Sequence, residues 1–394
     1  MNYILVDGKS RENLLPLCFT RPVAALRTGI LTIREKWEHR LPGAYSWKTE
    51  TYLQQKFPMQ RASENCLIDA RICPTDELVE QVKLLENGQG IMIQGEKVAV
   101  CLNEELLAAY FEAEVAIDWQ EFAGPLDVIR YPWDLVEVNS RQIQLDFDLL
   151  TENRESEPIS HTNQLIHPEH IFAEAGAKLE FVTINASAGP VYIGADAEIM
   201  EGSLIRGPFA LGEHSVVNMG SKIFGGTTIG PYSKVGGEIS QSVITGYSNK
   251  GHDGFLGHSV LGEWCNLGAG TNVSNLKNNY EQVKMWNFAA RRFVKTGLQF
   301  GGLIMGDHSK AGINSMFNTG TVVGVACNIH GTGFPRQFVP SFADGGPGGF
   351  KLHQLKAVFA TASKVMERRN QSLSESDQGI LAAVFEQTAA FRSF

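Results

Sequence analysis

A histidine followed within a few dozen residues by amides and lysines is a grouping suited to acid–base chemistry on a phosphorylated substrate. Here it runs from Lys250 to Lys284, with His252 in Asn-Lys-Gly-His-Asp-Gly, then Asn266, Asn275, Lys277 and Lys284. A neutral imidazole takes up a proton near physiological pH, so His252 is a general-base candidate; the alternative is a solvated histidine on a chain corner. Asn266 and Asn275 can hydrogen-bond a sugar or an acyl carrier, or serve as turn residues. Lys277 and Lys284 can meet a phosphate as flexible point charges, or stay solvated.

The element that must position these groups is a repeat. Ile193, Ile199, Ile205, Leu211, Val217, Ile223, Ile229 and Val235 recur at every sixth residue. Neither a helix nor an ordinary strand has that period. It predicts a hexapeptide-repeat β-helix in which each short strand turns one aliphatic residue into a stacked core. The coil is expected over residues 165–343. Its phase is read as slipping by two residues after Val235 and resuming at Val243, Phe255, Leu261, Leu267 and Val273, with Asn249 as the exception. Residues 276–297 break the period, and insertions of this kind often carry binding function. The period returns at Met305, Ala311, Phe317, Val323 and Ile329.

Around the coil, residues 1–150 read as a mixed α/β domain. Tyr3-Ile4-Leu5-Val6 is a buried strand ending at Asp7-Gly8, with helices expected at 29–40 and 75–87 and strands at 66–69 and 90–93. Residues 151–164 form a polar linker, and 344–394 a helical tail that covers the coil. The 394 residues carry a formal charge of −9, which argues against a general nucleic-acid or anionic-membrane binder. Six cysteines without paired spacing fit a reducing cytoplasm. The opening apolar run is too short for a signal peptide, and no stretch is apolar enough to span a bilayer.

Residues 248–275 resemble the acetyltransferase half of bifunctional GlmU-type enzymes, which are glucosamine-1-phosphate acetyltransferases and N-acetylglucosamine-1-phosphate uridyltransferases. The family block reads approximately K-x-x-H-L-x-Y-x-G-D followed by V-N-I-G-A-G, and this chain has Lys250-Gly251-His252, Phe255-Leu256-Gly257-His258 and Cys265-Asn266-Leu267-Gly268-Ala269-Gly270, with Asn275 beyond. Asn275-Leu276-Lys277, Lys284 and Gly306–Asn314 look more like the archaeal and alternative bacterial branch. The resemblance implies a left-handed β-helix that forms a homotrimer, and acetyl-CoA as co-substrate along Ala269, Gly270, Asn314 and Gly331. It implies that His252 takes a proton from the 2-amino group of an amino-sugar phosphate while a backbone N–H near Ala269 or Gly270 stabilises the oxyanion. Glu238, Lys250, Phe255, Asn266 and Asn275 would contact the sugar, and Lys277 and Lys284 its phosphate. Phe255 replaces the family's tyrosine and removes a hydroxyl. A further reading, by analogy with β-helical carbonic anhydrases, groups His252 and His258 with His214, His308 or His330 around zinc; no third histidine has an evident relation to the pair.

The N-terminal half resembles sugar-1-phosphate nucleotidyltransferases. These open with a strand, a glycine-rich loop whose N–H groups cradle a triphosphate, and a neutralising lysine. This chain reads Leu5-Val6-Asp7-Gly8-Lys9-Ser10-Arg11 and then Pro16-Leu17-Cys18-Phe19-Thr20-Arg21-Pro22-Val23. Val23 stands where the lysine is expected, which leaves active uridylyl transfer from UTP with Mg²⁺ and a degenerate nucleotide fold both open. Gly8, Lys9, Arg11 and Arg21 are the nucleotide-binding candidates. Two other functions remain: a nucleotidyltransferase whose β-helix only trimerises it, and a non-catalytic scaffold that binds a sugar nucleotide.

Overall fold

Asn2, Tyr3, Ile4 and Leu5 are all buried, as a first strand covered on both faces requires. In the computed structural model, which describes residues 1–112 and 115–394, that strand spans Asn2–Val6. Contacts divide the chain into two units. The first holds Met1–Leu14, Arg21–Leu26 and Leu31–Arg130; the second holds Leu15–Thr20, Arg27–Ile30 and Tyr131–Phe394.

In the first unit, Asn2–Val6 pairs in parallel with Ala44–Lys48 on one side and Glu64–Asp69 on the other. Glu96–Asn103 then runs antiparallel to Glu64–Asp69, and Gln89–Ile93 and Asp118–Glu121 complete a mixed sheet. Ile4, Leu67, Val100, Leu102 and Leu107 fill one face. The helix expected from residue 29 spans Ile33–Arg40. Thr32 sets its start: its hydroxyl accepts from the Glu35 N–H at 3.2 Å, and the Glu35 carboxylate accepts from the Thr32 N–H at 2.6 Å. The second expected helix spans Asp76–Lys83, capped by Thr75.

The second unit is a stack of short parallel strands in three sheets, consistent with a β-helix. Ile193 pairs with Leu211 and Leu211 with Ile229, each three hexads along the chain. Their side chains, with Ile199, Ile205, Val217, Ile223 and Val235, form one continuous buried core. Met305, Ala311, Phe317, Val323 and Ile329 join the same core.

The phase after Val235 differs from the expected one. Ile229 pairs with Ile244, Val235 with Lys250 and Ile239 with Leu256. The core therefore takes Ile239, Ile244 and Leu256, one residue on from Val243 and Phe255. Lys250 occupies the inward slot next to Asn249. The shortened turn closes because Gly236 and Gly237 let two chain segments touch. A Cβ on Gly236 would lie 2.7 Å from the Gly251 oxygen, and Gly237 (φ +73°) would meet the His252 oxygen at 2.9 Å.

Residues 276–297 leave the coil as an antiparallel hairpin of Lys284–Asn287 and Arg292–Lys295. Trp286 stacks on Phe338 at 4.2 Å, and Phe391 packs edge-on against both. Helix Asn139–Thr151, expected within the first domain, groups with the second unit. Its Asn139 amide donates to the Gly226 oxygen at 2.9 Å. Two helices, Leu355–Glu367 and Glu375–Gln387, form the tail, the second opened by a Ser374–Asp377 capping box. Among the described residues no helix is long and apolar enough to cross a membrane.

Candidate functional site

The chain turns outward just after Lys250, and His252 stands exposed at that turn. Lys250 is 2 % exposed, and its ammonium donates to the Gly236 oxygen at 2.8 Å and to the His252 oxygen at 2.6 Å. Burial lowers its pKa to about 8, while nearby Asp253 acts in the opposite direction. The Asn218 amide donates to the Gly251 oxygen at 2.6 Å, bracing the turn from two coils earlier in the stack. His252 is thus an exposed imidazole on a held main chain.

The turn forms part of a cleft of about 730 Å³ within the second unit. Asn266 and Ala269 line it with His252. Asn266 is positioned by its strand, which lies between Asn249 and Lys310 in parallel register. The far wall is the end of the Leu355–Glu367 helix, through Val365, Arg368 and Arg369. Arg369 ties that end to the coil, donating to the Tyr232 oxygen and to the Asn249 side chain, both at 3.1 Å. Lys310 donates to the backbone oxygens of Trp264 and His308, and burial lowers its pKa to about 8.

One edge of the coil carries a ladder of rings. His214, Tyr232, Tyr247, Trp264 and His308 each have a left-handed backbone, with φ between 52 and 61°, and each ring packs on the next. Tyr247 and Trp264, whose centroids are 4.4 Å apart, form part of the cleft wall.

Other expected site residues lie elsewhere. Lys250 is inside the coil, so its role is to hold the main chain of His252 rather than to touch a ligand. Gly270 also departs from expectation: its N–H donates to the Asp253 oxygen at 2.9 Å and is spent. The Ala269 N–H has no hydrogen-bond partner among the described residues. Glu238 and Phe255 pair with each other on a different sheet, the Phe255 N–H donating to the Asn272 side chain at 2.9 Å. Asn275 is bonded to His258 at 2.9 Å. Burial holds His258 down at about 4, so its ring is the neutral acceptor, stacked on Phe300. Lys277 and Lys284 belong to the excursion and do not line the cleft. Asn314 packs against Gly270 on a left-handed corner, and Gly331 lies in an exposed turn with φ +102°. Among the described residues no group of three or more His, Cys, Asp or Glu is placed to hold a metal ion.

In the first unit, a cavity of about 210 Å³ opens near Val6, Gly8 and Asp69, with Lys97, Tyr110 and Phe111 on its walls. Carboxyl ends of parallel strands are where open α/β sheets bind ligands. Gly8 and Lys9 are exposed there, but Arg11 and Arg21 are buried. Arg11 turns inward to Tyr52 at 2.9 Å and Asp7 at 3.5 Å, a structural role that takes it away from a triphosphate. Asp7 also accepts from the Thr49 hydroxyl and the Val23 N–H, and burial pushes its pKa up to about 6. Asp69 is bound by both Nε and Nη2 of Arg71. A magnesium ion needs a carboxylate from such positions. Asp69 lines the cavity and Asp7 precedes Gly8; both are held by protein partners, as ligating carboxylates commonly are.

Sequence reading missed Asn218, Lys234, Tyr247, Trp264, Lys310, Arg368 and Arg369. The aromatic corner had a signal, one large ring per coil turn at Tyr232, Tyr247 and Trp264. The arginine pair had only its place at the end of an amphipathic pattern.

Residues 3–155 match a sugar nucleotidyl transferase family model. A bifunctional sugar-1-phosphate nucleotidylyltransferase/acetyltransferase of Sulfurisphaera tokodaii is 37% identical over 144 residues, covering 36% of this chain and 35% of the relative. Proteins named bifunctional protein GlmU from Methanocaldococcus jannaschii and Methanococcus aeolicus are both 36% identical, over 92 and 87 residues. They cover 23% and 22% of this chain, and 22% and 20% of those relatives. The matches thus span about a third or less of each curated relative.

Proposed function

We propose that this chain, for which the family match and the GlmU-named relatives support a GlmU-type transferase, N-acetylates an amino-sugar 1-phosphate, glucosamine 1-phosphate first among them, at the His252 cleft. The observation that carries the reading is an exposed imidazole, with a fixed main chain, in a cleft lined by amides, cations and no carboxylate. His252 takes the proton from the amine as its nitrogen attacks the thioester of acetyl-CoA. The C–N bond forms and the C–S bond breaks, and the thiolate of CoA leaves and is protonated. The Ala269 N–H, on the cleft wall, would donate to the developing oxyanion. Asn266 orients the acceptor sugar. Glu238, Phe255, Asn275, Lys277 and Lys284 have no place in this cleft, and act on the substrate only if a neighbouring subunit of a homotrimer brings them to it.

Uridylyl transfer from UTP, giving UDP-N-acetylglucosamine, is the activity proposed for the first unit. It rests on the family match over residues 3–155 and on exposed Gly8 and Lys9 beside the strand-end cavity. The two activities are proposed for the cytoplasm.

The test measures free-thiol release from acetyl-CoA with a panel of amino-sugar phosphates, for the full chain and for His252→Ala. Loss of about a hundredfold or more in the variant is expected of a general base. Release that is absent with every acceptor, or undiminished in His252→Ala, sinks the proposal. Pyrophosphate release from UTP is assayed in parallel.

A further inference from the structure

The cleft that holds His252 is lined by four cations, Lys234, Lys310, Arg368 and Arg369, and by no aspartate or glutamate. The chain as a whole has a formal charge of −9, so this concentration of positive charge is local. Two of the four have structural work. Lys310 is bonded to backbone oxygens, and Arg369 anchors the helix end to Tyr232 and Asn249. Lys234 and Arg368 are exposed, and their side chains make no hydrogen bond or ion pair among the described residues. Arg369 feels the crowding: burial first, and then the neighbouring Arg368, lowers its pKa. Holding two guanidinium groups together without a counter-charge is unfavourable unless an anion joins them.

We propose that Arg368 and Lys234, on a frame held by Arg369, form an anion clamp that binds a phosphate group in the His252 cleft. Arginine suits this task because its planar fork meets two phosphate oxygens at once. The clamp comes from the helical tail and not from the excursion that carries Lys277 and Lys284. It makes the tail part of substrate selection. The phosphate is that of the amino-sugar 1-phosphate or one of those on the coenzyme. The identity of the bound molecule rests on the function proposed above; the anion preference does not.

The experiment uses the full-length protein, Arg368→Gln, Arg368→Lys and Lys234→Gln. Calorimetric titration compares glucosamine 1-phosphate with glucosamine, and CoA with pantetheine. Arg368→Gln is expected to weaken the phosphorylated ligand about tenfold, leave the phosphate-free counterpart unchanged and keep the thermal midpoint. Arg368→Lys retains part of the affinity. Loss confined to glucosamine 1-phosphate assigns the clamp to the sugar, and loss confined to CoA assigns it to the coenzyme. Equal binding by wild type and Arg368→Gln, or equal losses with and without phosphate, overturns the clamp. Phosphate binding lost in Arg368→Gln by a protein that acetylates no amino sugar leaves the clamp standing and removes the acetyltransferase reading. His252-dependent transfer with an unchanged KM in Arg368→Gln does the reverse.

Discussion

Replacing Lys250 by methionine tests what a buried ammonium contributes to this coil. Burial takes its pKa from 10.5 to about 8. At about 1.4 kcal/mol per pH unit, that difference corresponds to roughly 3 kcal/mol against the folded state when the amine is charged. Methionine removes this penalty and fits an aliphatic slot. It also strips two backbone oxygens, of Gly236 and His252, of their donor, at about 1–3 kcal/mol each. Near pH 7 the two effects offset, and the variant is expected to lie within about 2 kcal/mol of wild type. The sign of the pH dependence separates them. Between the folded pKa near 8 and the unfolded value near 10.5, the unfolded chain binds more protons, so wild-type stability rises with pH. The neutral amine keeps both hydrogen bonds, so by pH 9.5 wild type gains about 2 kcal/mol that Lys250→Met cannot. Urea unfolding of both proteins at pH 7, 8.5 and 9.5 measures this. Lys310 is common to both and cancels. Parallel stability curves would refute the buried-lysine account.

Two further substitutions probe the fold around each site. Arg11→Met should destabilise the protein by about 3 kcal/mol, because it leaves the Asp7 carboxylate buried without its cation; denaturant titration checks this, and an unchanged midpoint would return Arg11 to the list of ligand contacts. Phe317→Ala, deep in the coil core, should cost about 3–5 kcal/mol by the same measurement, and a cost near zero would show that the coil relaxes around the cavity.

The regular part of the coil was legible because a six-residue period has one physical meaning. The aliphatic residue at every sixth position from Ile193 to Val235 is buried in a common core, as the period requires. The slip after Val235 was visible, but its size was misjudged because Val243 and Ile244 are both apolar and periodicity does not choose between them. Pairing does, and it puts Ile244 beside Ile229. Lys250 was misplaced for a related reason: a lysine reads as a surface group, and only the folded coil brings two carbonyls to it inside. His252, Asn266 and Ala269 were found through motif spacing and share a cleft. Arg368 and Arg369 were out of reach, since sequence distance hides a helix that folds back over the coil. In the first unit the loop residues were legible, but the inward turn of Arg11 depends on Tyr52 and Asp7, a contact no local pattern records.

A solenoid built from near-identical hexads has an inherent ambiguity of alignment, since one rung of aliphatic residues packs on the next rung but one almost as well as on its neighbour. Lys250 removes that degeneracy. Displaced along the stack, its ammonium would leave the Gly236 and His252 oxygens that receive it, a loss any shifted alignment would have to make good. The shortened rung that Lys250 occupies therefore serves as an index mark for the whole coil, counted from the inside. The threading that satisfies it is also the one that brings His252 into the cleft.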